Sequence, residues 1–187
     1  MKFPENRKIA WIVFAVCALL CVVLLGGIHM KSDRSKVVDV FYQGTDTALS
    51  SRHSMDAYIE RAAKSAQTLA EEGTIYLGSE DADSFLVKRL VTDLNDAEAL
   101  SAEQYSLVNQ LYDGVETLYS SILAKDLGDT KMVNSKTAYY DFKGAIDLME
   151  NDQYHQLARD FNKGSSGLLA GIIRGIFGIE DLETYGL

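Results

Sequence analysis

The sequence predicts an all-α protein in which an N-terminal transmembrane helix is followed by an elongated antiparallel helical bundle. Two observations indicate this fold class. Residues 9–30 contain no charge, and apolar residues recur at spacings of three and four through most of the remaining chain. The only proline is Pro4, so no later proline interrupts a long helix.

These patterns divide the chain into four parts. We assign residues 1–8 to a short N-terminal tail, 9–30 to a transmembrane anchor, 31–163 to the helical bundle, and 164–187 to an apolar, glycine-spaced tail packed on the bundle.

The anchor begins with an apolar run from Ile9 to about Ile28. About 20 apolar residues span the hydrocarbon core of a bilayer. A secretory signal peptide is the competing interpretation, but its apolar core usually has about 7–15 residues before a small-residue cleavage site. The end of this run, Leu24 to His29, lacks small residues at that spacing. We therefore predict an uncleaved, single-pass membrane anchor whose lipid contacts are made by residues 9–30.

Charge leaves the membrane orientation of the chain open but limits its partners. Three basic residues precede the run and three follow it, so the excess of positive charge that marks the cytoplasmic side is missing. Of the 18 basic and 27 acidic residues, three basic and one acidic lie in residues 1–8. The remaining 15 basic and 26 acidic residues give the rest of the chain a net charge of −11, which argues against nucleic acid and anionic head groups as partners.

Both cysteines, Cys17 and Cys21, lie in the apolar run.

The first helix after the anchor is predicted over Ser32 to Glu72, continuing directly from the apolar run. Its heptad-like seam is interrupted by the polar residues Thr45 and Arg52 and consists of Phe41, Thr45, Ala48, Arg52, Met55, Ile59, Ala62, Ala66 and Leu69.

Three further helices are predicted. A short helix follows the cap at Ser79 to Asp81 and turns Phe85, Leu86, Leu90 and Leu94 inward. Ser101 and Gln104 form a capping box for the next helix. Its apolar seam is Val108, Leu111, Val115, Leu118 and Ile122, flanked by Tyr105, Tyr112 and Tyr119. The last long helix runs from near Asn134 to Phe161.

The tail from Leu168 to Leu187 spaces glycines by four residues, which suits close helix packing. We expect its large apolar side chains to cover the bundle, with Phe177 and Tyr185 as anchors. Insertion into the membrane interface or into the groove of a partner is the alternative.

No residue pattern predicts a catalytic, metal or cofactor site. His53 and His155 lack a metal-type partner four residues away, and the acidic clusters lack the spacing of a calcium loop. The two serines between Gly164 and Gly167 do not form a nucleophile elbow. An enzyme would need titratable groups that converge in a cleft.

Scattered motifs resemble the LemA family of bacterial membrane-anchored proteins. Tyr154 and the pair Phe161-Asn162 resemble an approximate YN-x3-V-x2-YN signature, with the pair one residue closer to Tyr154 than that spacing and with His155 where the family has Asn. Phe177 to Ile179 lies at an fGf motif, and Tyr185 at a final aromatic position. Leu49, Arg52 and His53 resemble the start of an L-x-RR-x-DLIPNLV stretch. The sequence departs from the family at Ser51, Ala57 and Leu169, which replace an arginine and two prolines.

The resemblance implies a helical bundle on a membrane anchor, without established catalytic activity and with a role in envelope interactions. We therefore expect a non-enzymatic interaction or scaffold protein of the bacterial cell envelope, with an unknown membrane or envelope protein as its partner. The alternative is a ligand-sensing bundle that binds a small molecule between its helices. The candidate contact residues are Arg52, His53, Tyr154, Phe177 and Tyr185.

Overall fold

The computed structural model describes residues 3–45 and 53–185, and within these ranges the chain forms seven α-helices. They are α1 (Phe3–Gln43), α2 (Met55–Leu77), α3 (Ala82–Asp96), α4 (Ala102–Leu123), α5 (Asp129–Glu150), α6 (Gln153–Gly164) and α7 (Leu168–Phe177). The predicted fold class is confirmed, since a long apolar N-terminal helix precedes a bundle of packed helices.

Helix α1 belongs to two environments. Its N-terminal part is exposed and apolar, and the helix is long and apolar enough to cross a membrane. A signal sequence also meets these criteria of length and apolar composition. Its last turns enter the bundle, where Val37 and Phe41 are buried in the core. One continuous helix therefore joins the apolar run to the core.

The predicted helix over Ser32 to Glu72 is wrong, because α1 ends at Gln43 and α2 begins at Met55. Gly44 adopts a left-handed φ of 72° and donates its N–H to the carbonyl of Val40, which ends α1. Ser54 then caps α2 by accepting a hydrogen bond from the N–H of Ala57. The buried Phe41 and Met55 are two heptads apart, so the apolar spacing continues in register across the break.

Helix α2 is the centre of the bundle and contacts α3, α4 and α5. Small side chains allow these helices to approach closely, and the buried ones are Ala62, Ala63, Ala66, Ala70 and Gly73. A Cβ atom at Gly73 would overlap the side chains of Ser84 and Leu118. Short loops connect α2 to α3, α3 to α4 and α4 to α5, as in an up-and-down antiparallel bundle.

The predicted inward face of α3 is partly wrong. Phe85 and Leu86 are exposed, Phe85 by 70%, whereas Leu90 and Leu94 are buried as expected. Val87 and Val91 complete the buried stripe with them, so the helix is rotated relative to the prediction.

Helix α4 follows its prediction closely. Ser101 accepts a hydrogen bond from the N–H of Gln104 at 3.0 Å, and the five predicted seam residues are fully buried. The tyrosine stripe belongs largely to the core. Tyr105 and Tyr119 are buried, and Tyr119 stacks on Tyr139 of α5 with ring centroids 3.9 Å apart.

The predicted last helix is divided into two. Helix α5 begins at Asp129, earlier than expected, and ends at Glu150. Asp152 then caps α6, with a carboxylate oxygen accepting from the N–H of Tyr154 at 2.7 Å. This break turns α6 away from α5 and onto α1.

Candidate interaction site at the junction of α1, α6 and α7

An aromatic cluster packs between the C-terminal part of α1 and the rest of the molecule. Phe41 of α1 packs edge-to-face on Tyr154 of α6, with ring centroids 5.3 Å apart. Tyr185 in the C-terminal segment lies 5.7 Å from Tyr105 of α4 and 6.4 Å from His155 of α6. The cluster thus joins three helices and the C-terminal segment.

Burial favours the uncharged forms of the titratable side chains in this cluster. Burial lowers the pKa of His155, whose Nε2 donates to the carbonyl oxygen of Met149 at 2.8 Å. Its Nδ1 has no hydrogen-bond partner among the described residues. Tyr154 donates its O–H to the carbonyl of Glu183, and burial raises the pKa of Tyr154 to about 12.

The C-terminal segment, residues 179–185, is also bound to α6 by Asn162. Asn162 accepts from the N–H of Leu182 at 2.9 Å and donates to its carbonyl at 2.8 Å. Ile179, Leu182 and Tyr185 are buried along this segment.

Helix α7 packs on the apolar part of α1. Ile173 and Phe177 lie over Gly26 and Gly27, so closely that a Cβ atom at Gly27 would overlap the Phe177 ring. The glycines predicted to allow close packing were those of the tail, and that prediction is wrong. A Cβ atom at Gly167, Gly171 or Gly175 would meet open space.

The expected burial of the tail is also wrong for most of α7. Ile173 is buried and Phe177 is half-buried, but four large side chains remain exposed. We call them the α7 apolar face: Leu168, Leu169, Ile172 and Ile176. The positions of Ile173 and Phe177 explain why, because only one side of this short helix reaches α1.

A cleft of about 620 Å³ opens between α1 and α6, and we call it the α1–α6 cleft. Its apolar lining is Met30, Val37, Val40, Leu157 and Phe161, and its polar lining is His29, Asp33, Lys36, Asp160 and Ser165. Glycines at positions 26 and 164 contribute no side chain to its volume.

The polar residues on the α1 side of the cleft form a connected row. One carboxylate oxygen of Asp33 pairs with Lys36 Nζ at 2.8 Å, and the other lies 2.7 Å from His29 Nδ1. Asp160 lies across the cleft on α6. An apolar groove with a polar rim can hold a small molecule or the apolar side chains of another protein.

Of the four predicted contact residues that lie in the described ranges, the structure brings two together. Tyr154 and Tyr185 both lie in the buried aromatic cluster, whereas Phe177 lies on α7 against α1. His53 is exposed before α2, with Nδ1 3.5 Å from the hydroxyl of Tyr58. Arg52 lies outside the described residues.

The residues that line the cleft were not singled out from the sequence. Leu157 and Phe161 line the cleft from α6, and both are only half-buried. The sequence contained one usable indication of the junction, the Gly26-Gly27 pair, which removes two side chains from one end of the apolar run. Within the described ranges, no group of three or more His, Cys, Asp or Glu side chains could hold a metal ion.

No family model, curated protein or solved structure matches this chain. The resemblance to the LemA family therefore stays a prediction.

Proposed function

We propose that this chain is a non-enzymatic, single-pass membrane protein whose helical bundle binds a partner protein of the cell envelope through the α1–α6 cleft. The proposal has two parts, an uncleaved anchor and a binding site next to it.

The packing of α7 on α1 carries the first part. Ile173 and Phe177 cover Gly26 and Gly27, which lie within the apolar run. A cleaved signal peptide would be absent from the folded protein, and these contacts would then be lost. The fit between the two ends of the chain therefore favours an anchor that stays attached.

The anchor is tested by intact-mass analysis and alkaline extraction of membranes that contain the full chain. We expect the mass of the uncleaved protein and complete retention in the membrane pellet. A mass that lacks the first thirty residues, or release into the supernatant, would contradict the proposal.

The cleft supports the second part. Its lining combines buried and half-buried apolar side chains from two helices with the charged row of Asp33 and Lys36 at the rim. Protein interfaces share this arrangement of an apolar centre and a polar rim. The cleft also lies beside the anchor, where it would face a partner in or near the membrane.

Site-specific photo-crosslinking in native membranes tests the cleft. A photoreactive residue in place of Leu157, which lines the cleft, should give adducts with another protein. The same residue in place of Leu148, which is exposed on α5, is the matched control and should not. Equal adducts from both positions would argue against the cleft.

A ligand-sensing bundle is the second candidate, and the size of the cleft favours it. A volume of about 620 Å³ lies within the range of small-molecule sites, roughly 300–1,000 Å³. The cleft lies away from His53, near which such a ligand was first expected. Native mass spectrometry should then detect a bound small molecule that is lost in the cleft-filling variant Val40→Trp.

A further inference from the structure

Helix α7 exposes more apolar surface than a helix in water would normally keep. Leu168 is 88% exposed, Ile176 63% and Ile172 51%, although the helix has only 10 residues. At about 100° per residue, the members of the α7 apolar face fall within one arc, while Ile173 and Phe177 point to α1.

The only charge on α7 is directed away from this face. Arg174 follows Ile172 by two residues and so lies about 160° from it around the helix. Its guanidinium donates to the carbonyl of Ile179 at 3.1 Å and pairs with Asp181 at 2.8 Å, which leaves the Arg174 side chain only 18% exposed. The α7 apolar face is therefore bordered by glycines rather than by charge.

This face continues the exposed surface of the anchor. Helix α7 lies against Gly26 and Gly27, and the neighbouring α1 residues Leu25 and Ile28 are exposed. Lys31, the first charged residue after the run, lies with its Nζ 5.8 Å from the Phe177 ring. Measured along the axis of α1, Phe177 therefore lies beside the end of the uncharged run.

We propose that α7 is an interfacial helix that inserts its apolar face into the bilayer beside α1. The occupant of the face is lipid because the face is continuous with the proposed transmembrane surface, and a water-soluble partner would compete there with the bilayer. Insertion depends on apolar burial rather than on head-group charge, since the face carries no cation and the chain is acidic. Two attachments, α1 and α7, then hold the bundle in one orientation on the membrane.

The inference rests on the proposed membrane anchoring of α1, and nitroxide labels on the full chain test both separately. In a Cys17→Ala, Cys21→Ala background reconstituted into phosphatidylcholine vesicles, single labels are attached through Ile172→Cys, Leu20→Cys or Tyr140→Cys. Tyr140 is a matched control because it is an exposed, large side chain on α5. Power saturation then compares collisions with oxygen, which concentrates in the bilayer, and with a water-soluble nickel chelate.

We expect labels at positions 172 and 20 to be several-fold more accessible to oxygen than to nickel, and the label at 140 to show the reverse. A label at 172 that behaves like the one at 140 overturns the inference, and so does one shielded from both reagents, which would indicate a protein contact. If the label at 20 is accessible to nickel, the anchoring of α1 itself fails.

A charge on the same face provides a second test. Ile176→Asp should raise the nickel accessibility at position 172 several-fold, whereas Tyr140→Asp should not change it. Both positions are exposed, so neither change disturbs the core. Adding anionic phosphatidylglycerol should leave the result at 172 unchanged, and insertion that requires this lipid would contradict the apolar mechanism.

Discussion

The bundle of α2 to α5 and the junction of α1, α6 and α7 use similar apolar residues in opposite ways. In the bundle, Val108, Leu118 and Ile146 are almost completely buried. At the junction, Leu168, Ile172 and Ile176 are exposed, and a cleft separates α1 from α6. The bundle buries its apolar seams between its own helices, whereas the junction leaves a contiguous apolar face for lipid or a partner to cover.

The largest effect expected from this comparison is the loss of a core side chain. Ile146→Ala should lower the free energy of unfolding by about 2–5 kcal/mol, because the deleted atoms leave a cavity among buried neighbours. Guanidinium unfolding of the detergent-solubilised chain, followed by circular dichroism, measures it. Leu148→Ala, at an exposed position on the same helix, is the control and should change the free energy by less than about 0.5 kcal/mol.

A smaller and local effect is expected at the junction from Asn162→Ala. This change removes both hydrogen bonds to Leu182, each of which contributes about 0.5–1.5 kcal/mol. Hydrogen exchange of the amides in residues 179–185 should accelerate while exchange in α2 stays unchanged. Asn151→Ala removes a hydrogen bond from an exposed asparagine and serves as the control. Unchanged exchange at Leu182 would show that other contacts hold the segment.

A pH dependence should distinguish the junction from the bundle. Burial holds the pKa of His155 below its ordinary value of about 6.5, against the opposing effects of the Met149 carbonyl and Asp152. The unfolded chain therefore binds more protons, so the stability contributed by His155 is complete above pH 6.5 and is lost as the pH falls towards the pKa of the folded state.

Unfolding measured at several values between about pH 8 and pH 5 tests this dependence. His155→Gln keeps a donor for the Met149 carbonyl but does not titrate, so its stability should fall less on acidification than that of the unmodified chain. His29 and His53 remain in both proteins and cancel. Parallel pH profiles would contradict the role of His155.

The smallest effect is expected from Ile172→Ala, the same chemical change as Ile146→Ala but on the α7 apolar face. Because this side chain is exposed, the free energy of opening measured by hydrogen exchange of the α2 and α5 amides should change by less than about 0.5 kcal/mol. If this free energy falls by more than about 1.5 kcal/mol, α7 belongs to the same cooperative unit as the bundle.

The bundle was easier to predict from sequence than the junction for a physical reason. The seam of α4 obeys a helical period and ends at a capping box, both of which are local patterns. Phe41 and Met55 kept that period across a helix break, so periodicity alone joined α1 to α2 incorrectly. The break follows instead from the left-handed turn at Gly44 and the cap at Ser54.

The junction depends on contacts between the two ends of the chain, which no local pattern contains. The glycine spacing of the tail suggested close packing, but the close approach is made by Gly26 and Gly27. Apolar spacing also cannot tell whether protein or lipid covers a face. The side chains of α7 were therefore assigned to the core although most of them are exposed.

The contact of α7 and the C-terminal segment with α1 also sets an order of assembly. Arg34 donates to the carbonyl of Glu180 across 146 positions of the chain. Helix α1 is synthesised before α7 and the C-terminal segment, so it receives these contacts only after those residues have been made. The bundle can fold earlier from neighbouring helices, whose loop closures are short. A chain that stalls before α7 would thus leave Gly26 and Gly27 without the cover of Ile173 and Phe177.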